Sequence, residues 1–200
     1  MTPTLAHRAR AREHGELELL ARARRGDVAA FEKLAGAHMG RLFVLVTRLV
    51  DDRVEAEDVV QESLLRAWRG ICEFRGRSGF STWLHRIAVN EANRSLMQST
   101  HRREMIGLSD EQPRFSAPAD DAPTRQAELH ELRATLRTAL LALPLPYRTA
   151  VVLRDIEGLP TREAAHIAGV GERAFKSRLH HARAQIRAAL GDQALIAAAS

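Results

Sequence analysis

The sequence predicts an all-α protein built as two small helical domains on a flexible linker. Three observations carry that reading. Apolar residues recur at three- and four-residue spacing along most of the chain. Ala, Leu and Arg are abundant while aromatics are only 4% of the 200 residues, a composition that favours helix over sheet. One stretch, residues 104–125, breaks every periodic pattern. It holds Pro113, Pro118 and Pro123 with acids at Glu104, Asp110, Glu111, Asp120 and Asp121, opposed only by Arg114 and Arg125. Such a segment is a linker rather than a core element. The expected division is an N-terminal extension over residues 1–26, a first domain over 27–103, the linker over 104–125, a second domain over 126–190 and a tail over 191–200.

The elements follow in order. Residues 16–25 form a short amphipathic stretch that stops at Gly26. Asp27 is a good N-cap for a long helix, on which Phe31, Leu34, His38, Leu42, Leu45 and Leu49 form one buried stripe. Asp52 with Glu55 resembles a capping box and opens a third helix, whose apolar face is Ala56, Val59, Val60, Leu64, Ala67 and Trp68. Residues 74–80, FRGRSGF, hold two glycines and a serine and form a loop. Ser81 caps a fourth helix through Trp83, Leu84, Ile87 and Ala88 towards Arg103. Past the linker, helix resumes with Leu129, Leu132, Leu136 and Leu140 and stops before Pro144. Residues 147–157 form the next helix, closed by Gly158.

Residues 161–189 then read as a short helix, a glycine turn and a second helix. The second is apolar on one side and carries Arg173, Lys176, Arg178, Arg183 and Arg187 on the other. That arrangement puts a helix into the DNA major groove, with cations for phosphates and an N-terminal end that reaches base edges. A solvated basic face on an ordinary bundle helix is the alternative. A formal net charge of +5 and a pI of about 10.5 agree with a DNA-facing protein. The cations are arginines apart from Lys33 and Lys176, which suits bidentate contacts to phosphate and guanine. Cys72 is the only cysteine, so no intrachain disulfide forms and a cytoplasmic location is expected. No apolar run approaches the ~20 residues of a spanning helix, so no membrane insertion is expected, and the N-terminus lacks the apolar core of a secretory signal.

With these segments in view, residues 51–68, DDRVEAEDVVQESLLRAW, resemble the core-polymerase-binding helix of bacterial sigma factors. Residues 74–90, FRGRSGFSTWLHRIAVN, resemble their promoter-melting loop and the start of the helix that reads the minus-ten element. The last block carries LP..YR, EG, EAA and KSRL..AR, resembling their region 4. Three motifs in this order, over residues 27–190 apart from the linker, resemble a group IV, extracytoplasmic-function (ECF) sigma factor of the sigma-70 family. The resemblance implies that the first domain is region 2 and the second region 4. It implies a dissociable subunit that directs RNA polymerase to promoters and helps open them, with core RNA polymerase and promoter DNA, duplex and melted, as partners. It also implies control by an anti-sigma factor. A stand-alone helix-turn-helix regulator that binds an operator without polymerase is the alternative.

Three surfaces follow. Asp58, Gln61 and Glu62 face away from Val59 and Leu64, beyond the reach of simple helix-dipole complementarity; the resemblance makes them the polymerase-docking face. Arg75, Arg77, Asn90 and Arg94 supply cations and an amide for the minus-ten strand, with Asn93 as a second amide. Phe80 and Trp83 are equally well core residues or stacking platforms. Arg173, Lys176, Ser177, Arg178 and His181 are assigned to the minus-thirty-five duplex. This chain has Arg173 and Ala174 where many relatives have a small residue and a threonine, so Arg173 either replaces a phosphate contact or reads a base. Pro160 stands where a serine often caps, leaving Thr161 to cap one residue later. Ala164 and Ala168 are smaller than the usual aliphatics, which weakens the subdomain unless Phe175 fills the volume. No catalytic constellation stands out, and neither a cofactor nor a metal site is expected: His166, His180 and His181 lack a Cys or carboxylate at ligand spacing. Cys72 is read as a buried or inert thiol rather than a redox sensor.

Overall fold

The computed structural model describes residues 5–50, 52–76, 78–106 and 125–198. Among these residues there is no strand. The first block contains α1 (Leu5–Ala23), α2 (Val28–Leu49), α3 (Arg53–Gly70), a 3-10 turn (Ile71–Glu73) and α4 (Phe80–Ile106). The second contains α5 (Arg125–Leu141), α6 (Leu145–Val151), a π-helical turn (Val152–Ile156), α7 (Thr161–Ile167) and α8 (Glu172–Ala198). Residues 107–124, most of the segment read as a flexible linker, lie outside the described residues. The helix α4 continues three residues past the expected boundary at 103, and α8 continues past 190.

Local chemistry sets these boundaries. Gly26 adopts φ +91 between α1 and α2, a left-handed conformation that favours glycine. Asp27 caps α2, its carboxylate accepting from the Ala30 amide at 3.0 Å and from the Arg22 guanidinium at 2.7 Å. The Ala30 amide, with Arg22 beside it, holds this carboxyl below its usual range. Asp52 accepts from the amides of Val54 and Glu55 and caps α3. The capping box stops halfway: Glu55 does not reach back to the cap but accepts instead from Ser95 Oγ of α4 at 2.7 Å.

Other expectations are corrected. The first helix begins at Leu5 rather than near residue 16. Ser81 is the second residue of α4 rather than its cap, because the helix already starts at Phe80. Thr161 is the first residue of α7; Pro160 occupies the cap position and, having no polar side chain, makes no capping bond. The expected helix over 147–157 splits into α6 and a π-helical turn, in which the Glu157 amide donates to Val152 O five residues back.

The core of the first block is α2 sandwiched by α1, α3 and α4. The stripe of Phe31, Leu34, Leu42, Leu45 and Leu49 is buried and His38 is half-buried; Val59, Val60, Leu84 and Ala88 close over it. The hydroxyl of buried Ser63 donates to Val59 O at 2.6 Å, so it is hydrogen-bonded inside the helix. In the second block Phe175 is fully buried, as are Ala164, Ala165, Ile167 and Leu179, in one apolar cluster where α7 packs against α8. Leu132 and Leu136 of α5 remain exposed, because α5 packs mainly along α8 alone. Buried residues of both blocks form one contiguous apolar cluster. The blocks meet along a seam where α6 and the π-turn lie against α2, and α7 lies against α4.

Candidate functional site

The acidic helix α3 presents Asp58, Gln61 and Glu62 on one side, as spacing i, i+3, i+4 dictates. Asp58 and Gln61 are exposed. Glu62 is partly engaged: Arg66 donates to it at 2.9 Å and also reaches the largely buried Glu91 of α4 at 2.9 Å. Arg66 therefore fixes the acidic face of α3 to α4. The Glu62–Arg66 pair has the i, i+4 spacing of helix neighbours, whereas nothing in the spacing marks Glu91 as a partner.

The loop and α4 form the second surface. Arg75 is exposed, while Arg77 lies outside the described residues. Phe74 and Phe80 are 5% and 2% exposed and pack edge-on with ring centroids 6.3 Å apart, so both belong to the core rather than to a stacking platform. Trp83 is half-buried against both rings. Asn90 and Arg94 are exposed one turn apart, and Arg94 stays within 4.0 Å of Glu91. With Asn93, Met97 and Gln98 they line a shallow open groove along α4. Met97 and Gln98 were missed by the sequence reading; their spacing from Asn90 and Arg94 was the available signal. The groove offers amides, a cation and an apolar methionine surface.

The third surface is the helix-turn-helix. Gly169 at φ +67 turns the chain between α7 and α8, and the Val170 amide closes the turn on Ala165 O at 3.0 Å. Arg173 is the second residue of α8 and is exposed; Lys176 and Ser177 are exposed and Arg178 is half-buried. His181 is exposed, with its ring against Tyr147 at 6.3 Å. The expected basic face is narrower than the sequence implied. Arg183 is held by Asp155 of the π-turn through two bonds of 2.5 and 2.9 Å, and this carboxylate raises its pKa. It ties α8 to the π-turn across α7, so Arg183 is engaged within the fold. Among the described residues no group of His, Cys, Asp and Glu could hold a metal ion, and no helix is long and apolar enough to cross a membrane. Cys72 is exposed rather than buried, being placed in the 3-10 turn after α3.

Among the described residues the chain is helical, with a shallow groove along α4 of one block and a helix-turn-helix in the other. Comparison with known proteins narrows this. Residues 34–102 match the family model for Sigma-70 region 2, and residues 133–186 match that for Sigma-70, region 4. The chain is 35% identical over 178 residues to the RNA polymerase sigma-H factor of Pseudomonas aeruginosa, covering 86% of this chain and 92% of that one. It is 34% identical over 173 residues to the ECF RNA polymerase sigma-E factor of Haemophilus influenzae, covering 84% and 91%. The solved structure of CnrH in complex with the cytosolic domain of CnrY is similar at a TM-score of 0.62 and 25% identity, covering 89% and 98%. That of the sigma factor RpoE with the anti-sigma factor NepR from Bartonella quintana shares the fold at a TM-score of 0.66 and 23% identity, covering 82% and 98%. The chain belongs to the sigma-70 family, among its ECF sigma factors.

Proposed function

We propose that this chain is a dissociable sigma subunit that carries core RNA polymerase to specific promoters in the cytoplasm and helps open them. It performs no chemistry itself; the polymerase does. The observation that carries the reading is the order, on one chain, of three differently built surfaces within the two matched regions. The exposed acids of α3 suit a cationic protein partner and would repel DNA. The amide and arginine groove of α4 suits a melted minus-ten strand. The first turns of α8, led by Arg173, suit the major groove of the minus-thirty-five duplex, with Lys176, Ser177, Arg178 and His181 around it. Two similar solved structures are complexes, with the cytosolic domain of CnrY and with the anti-sigma factor NepR. They support control of this chain by an anti-sigma factor. The test is a native mobility assay with core polymerase and promoter fragments. The account expects a complex with core, and promoter retention only when core is present. Tight, sequence-specific DNA binding by the chain alone, with no complex with core, would establish a stand-alone regulator instead.

A further inference from the structure

A buried acid lies behind the arginine of the α4 groove. Glu91 follows Asn90 on α4 and is turned about 100° from it around the helix. It is 7% exposed, whereas its neighbours Asn90 and Arg94 are exposed. A buried carboxylate is costly without a cation. Arg66 of α3 supplies one, its Nε lying 2.9 Å from Oε1 of Glu91, but the same Nε donates to Glu62 at 2.9 Å. One guanidinium is thus divided between two carboxylates. The other Glu91 oxygen, Oε2, lies 4.0 Å from Nη1 of Arg94, one turn along α4. Four charges therefore alternate in sign, from Glu62 through Arg66 and Glu91 to Arg94.

An acid in this place works against simple attraction of a polyanion. A free arginine on an exposed helix face is an indiscriminate phosphate contact, which positions a strand but carries no sequence information. Glu91 changes that balance in two ways. It offsets part of the Arg94 charge, so a backbone phosphate gains less by pairing with it. It also draws the guanidinium back along α4, where Asn90 and Asn93 line the same groove. From there the arginine donates to base edges beside two amides that both donate and accept.

We propose that Glu91 is a positioning residue that sets the sequence preference of the α4 groove, by holding Arg94 on base edges and off the phosphates of the bound strand. Glu91 itself touches neither DNA nor polymerase. The inference rests on the sigma reading for the strand that fills the groove. The competing role is a plain brace between α3 and α4, and the molecule supplies a control for it. Ser95 of α4 donates to Glu55 of α3 at 2.7 Å, a second tie between the same helices that does not involve Arg94.

The experiment uses holoenzyme assembled from the full chain and core RNA polymerase, with a pool of random-sequence single-stranded DNA. Affinity for the unselected pool and the sequences enriched from it are both read. Glu91→Gln keeps the side-chain shape and an acceptor for Arg66 but removes the charge. It should bind the unselected pool about 2- to 5-fold more tightly, the scale of one partly exposed ion pair. Its salt slope should steepen by about 0.7, one added phosphate contact on a single strand. Enrichment of the preferred sequence should fall by about 2- to 5-fold, because the freed arginine now pairs with phosphates. A variant that folds badly would lose affinity rather than gain it. With Arg94→Ala already present, Glu91→Gln should change nothing, since the acid acts through that arginine. Glu55→Gln should leave affinity and preference as they are. Unchanged preference in Glu91→Gln, the same shifts with Arg94 removed, or equal shifts in Glu55→Gln overturns the positioning role alone. A wild-type chain that forms no complex with core, or a complex that retains no strand, overturns the sigma reading and the positioning role with it.

Discussion

Lowering the pH from 7 to 5 should destabilise this protein through one residue, His85. The ring is buried at the foot of α4, and burial is the main cause that lowers its pKa from 6.5 to about 4; His38 and Arg41 add to the effect while Glu163 opposes it. The folded state therefore keeps the ring neutral where the unfolded chain takes up a proton. Its stabilising contribution is complete above pH 6.5, the unfolded value, and is lost as pH falls towards 4. Between pH 7 and pH 5 the loss is about 2 kcal/mol, a large share of an ordinary folding free energy. The assay is urea unfolding at the two pH values for the wild type and His85→Gln. An amide does not titrate in this range, so the variant should lose about 2 kcal/mol less than the wild type on acidification. Equal losses in the two proteins would refute the assignment of a buried neutral imidazole at this position.

Other outcomes follow from the same geometry. Charge reversal at Asp58 and Glu62 should weaken binding to core polymerase while circular dichroism shows unchanged helicity; wild-type affinity in the double variant would remove α3 from the docking face. Arg173→Ala should relax preference at one or two positions of the upstream element, worth about 1–3 kcal/mol. Arg178→Ala should instead weaken all sequences alike and lower the salt slope by about 1. Transcription from a promoter library separates the two, and a uniform loss for Arg173→Ala makes it a phosphate contact. Phe175→Ala should cost about 3–5 kcal/mol, because the ring is wholly buried and its removal leaves a cavity; thermal unfolding measures it.

The regular parts of this fold were legible because one pattern determined them. The stripe from Phe31 to Leu49, the Asp27 and Asp52 caps and the glycine turn before α8 all follow from local rules. Contacts between distant elements were not legible. Nothing in the spacing of Asp155 and Arg183, of Arg66 and Glu91, or of Thr82 and Glu163 marks them as partners. Each pair is made by packing, and each changes the reading of a surface: Arg183 leaves the free basic face, Arg66 braces the acidic one, and Glu163 joins the two blocks. The aromatic ambiguity at Phe80 had the same origin, since a ring after a glycine loop packs inward or stacks outward according to what lies beneath it. Here His38 and Phe74 lie beneath it. The missing cap at α7 was half-legible: Pro160 was seen, but the helix starts at Thr161 itself.

The most direct test is run-off transcription with purified core RNA polymerase, this chain and a pooled promoter library. The account predicts that core alone gives no promoter-specific transcript. Adding the chain should give discrete starts that share two upstream elements, with the upstream preference altered by Arg173→Ala. Discrete starts that are the same with and without the chain, or a chain that never associates with core, would contradict it.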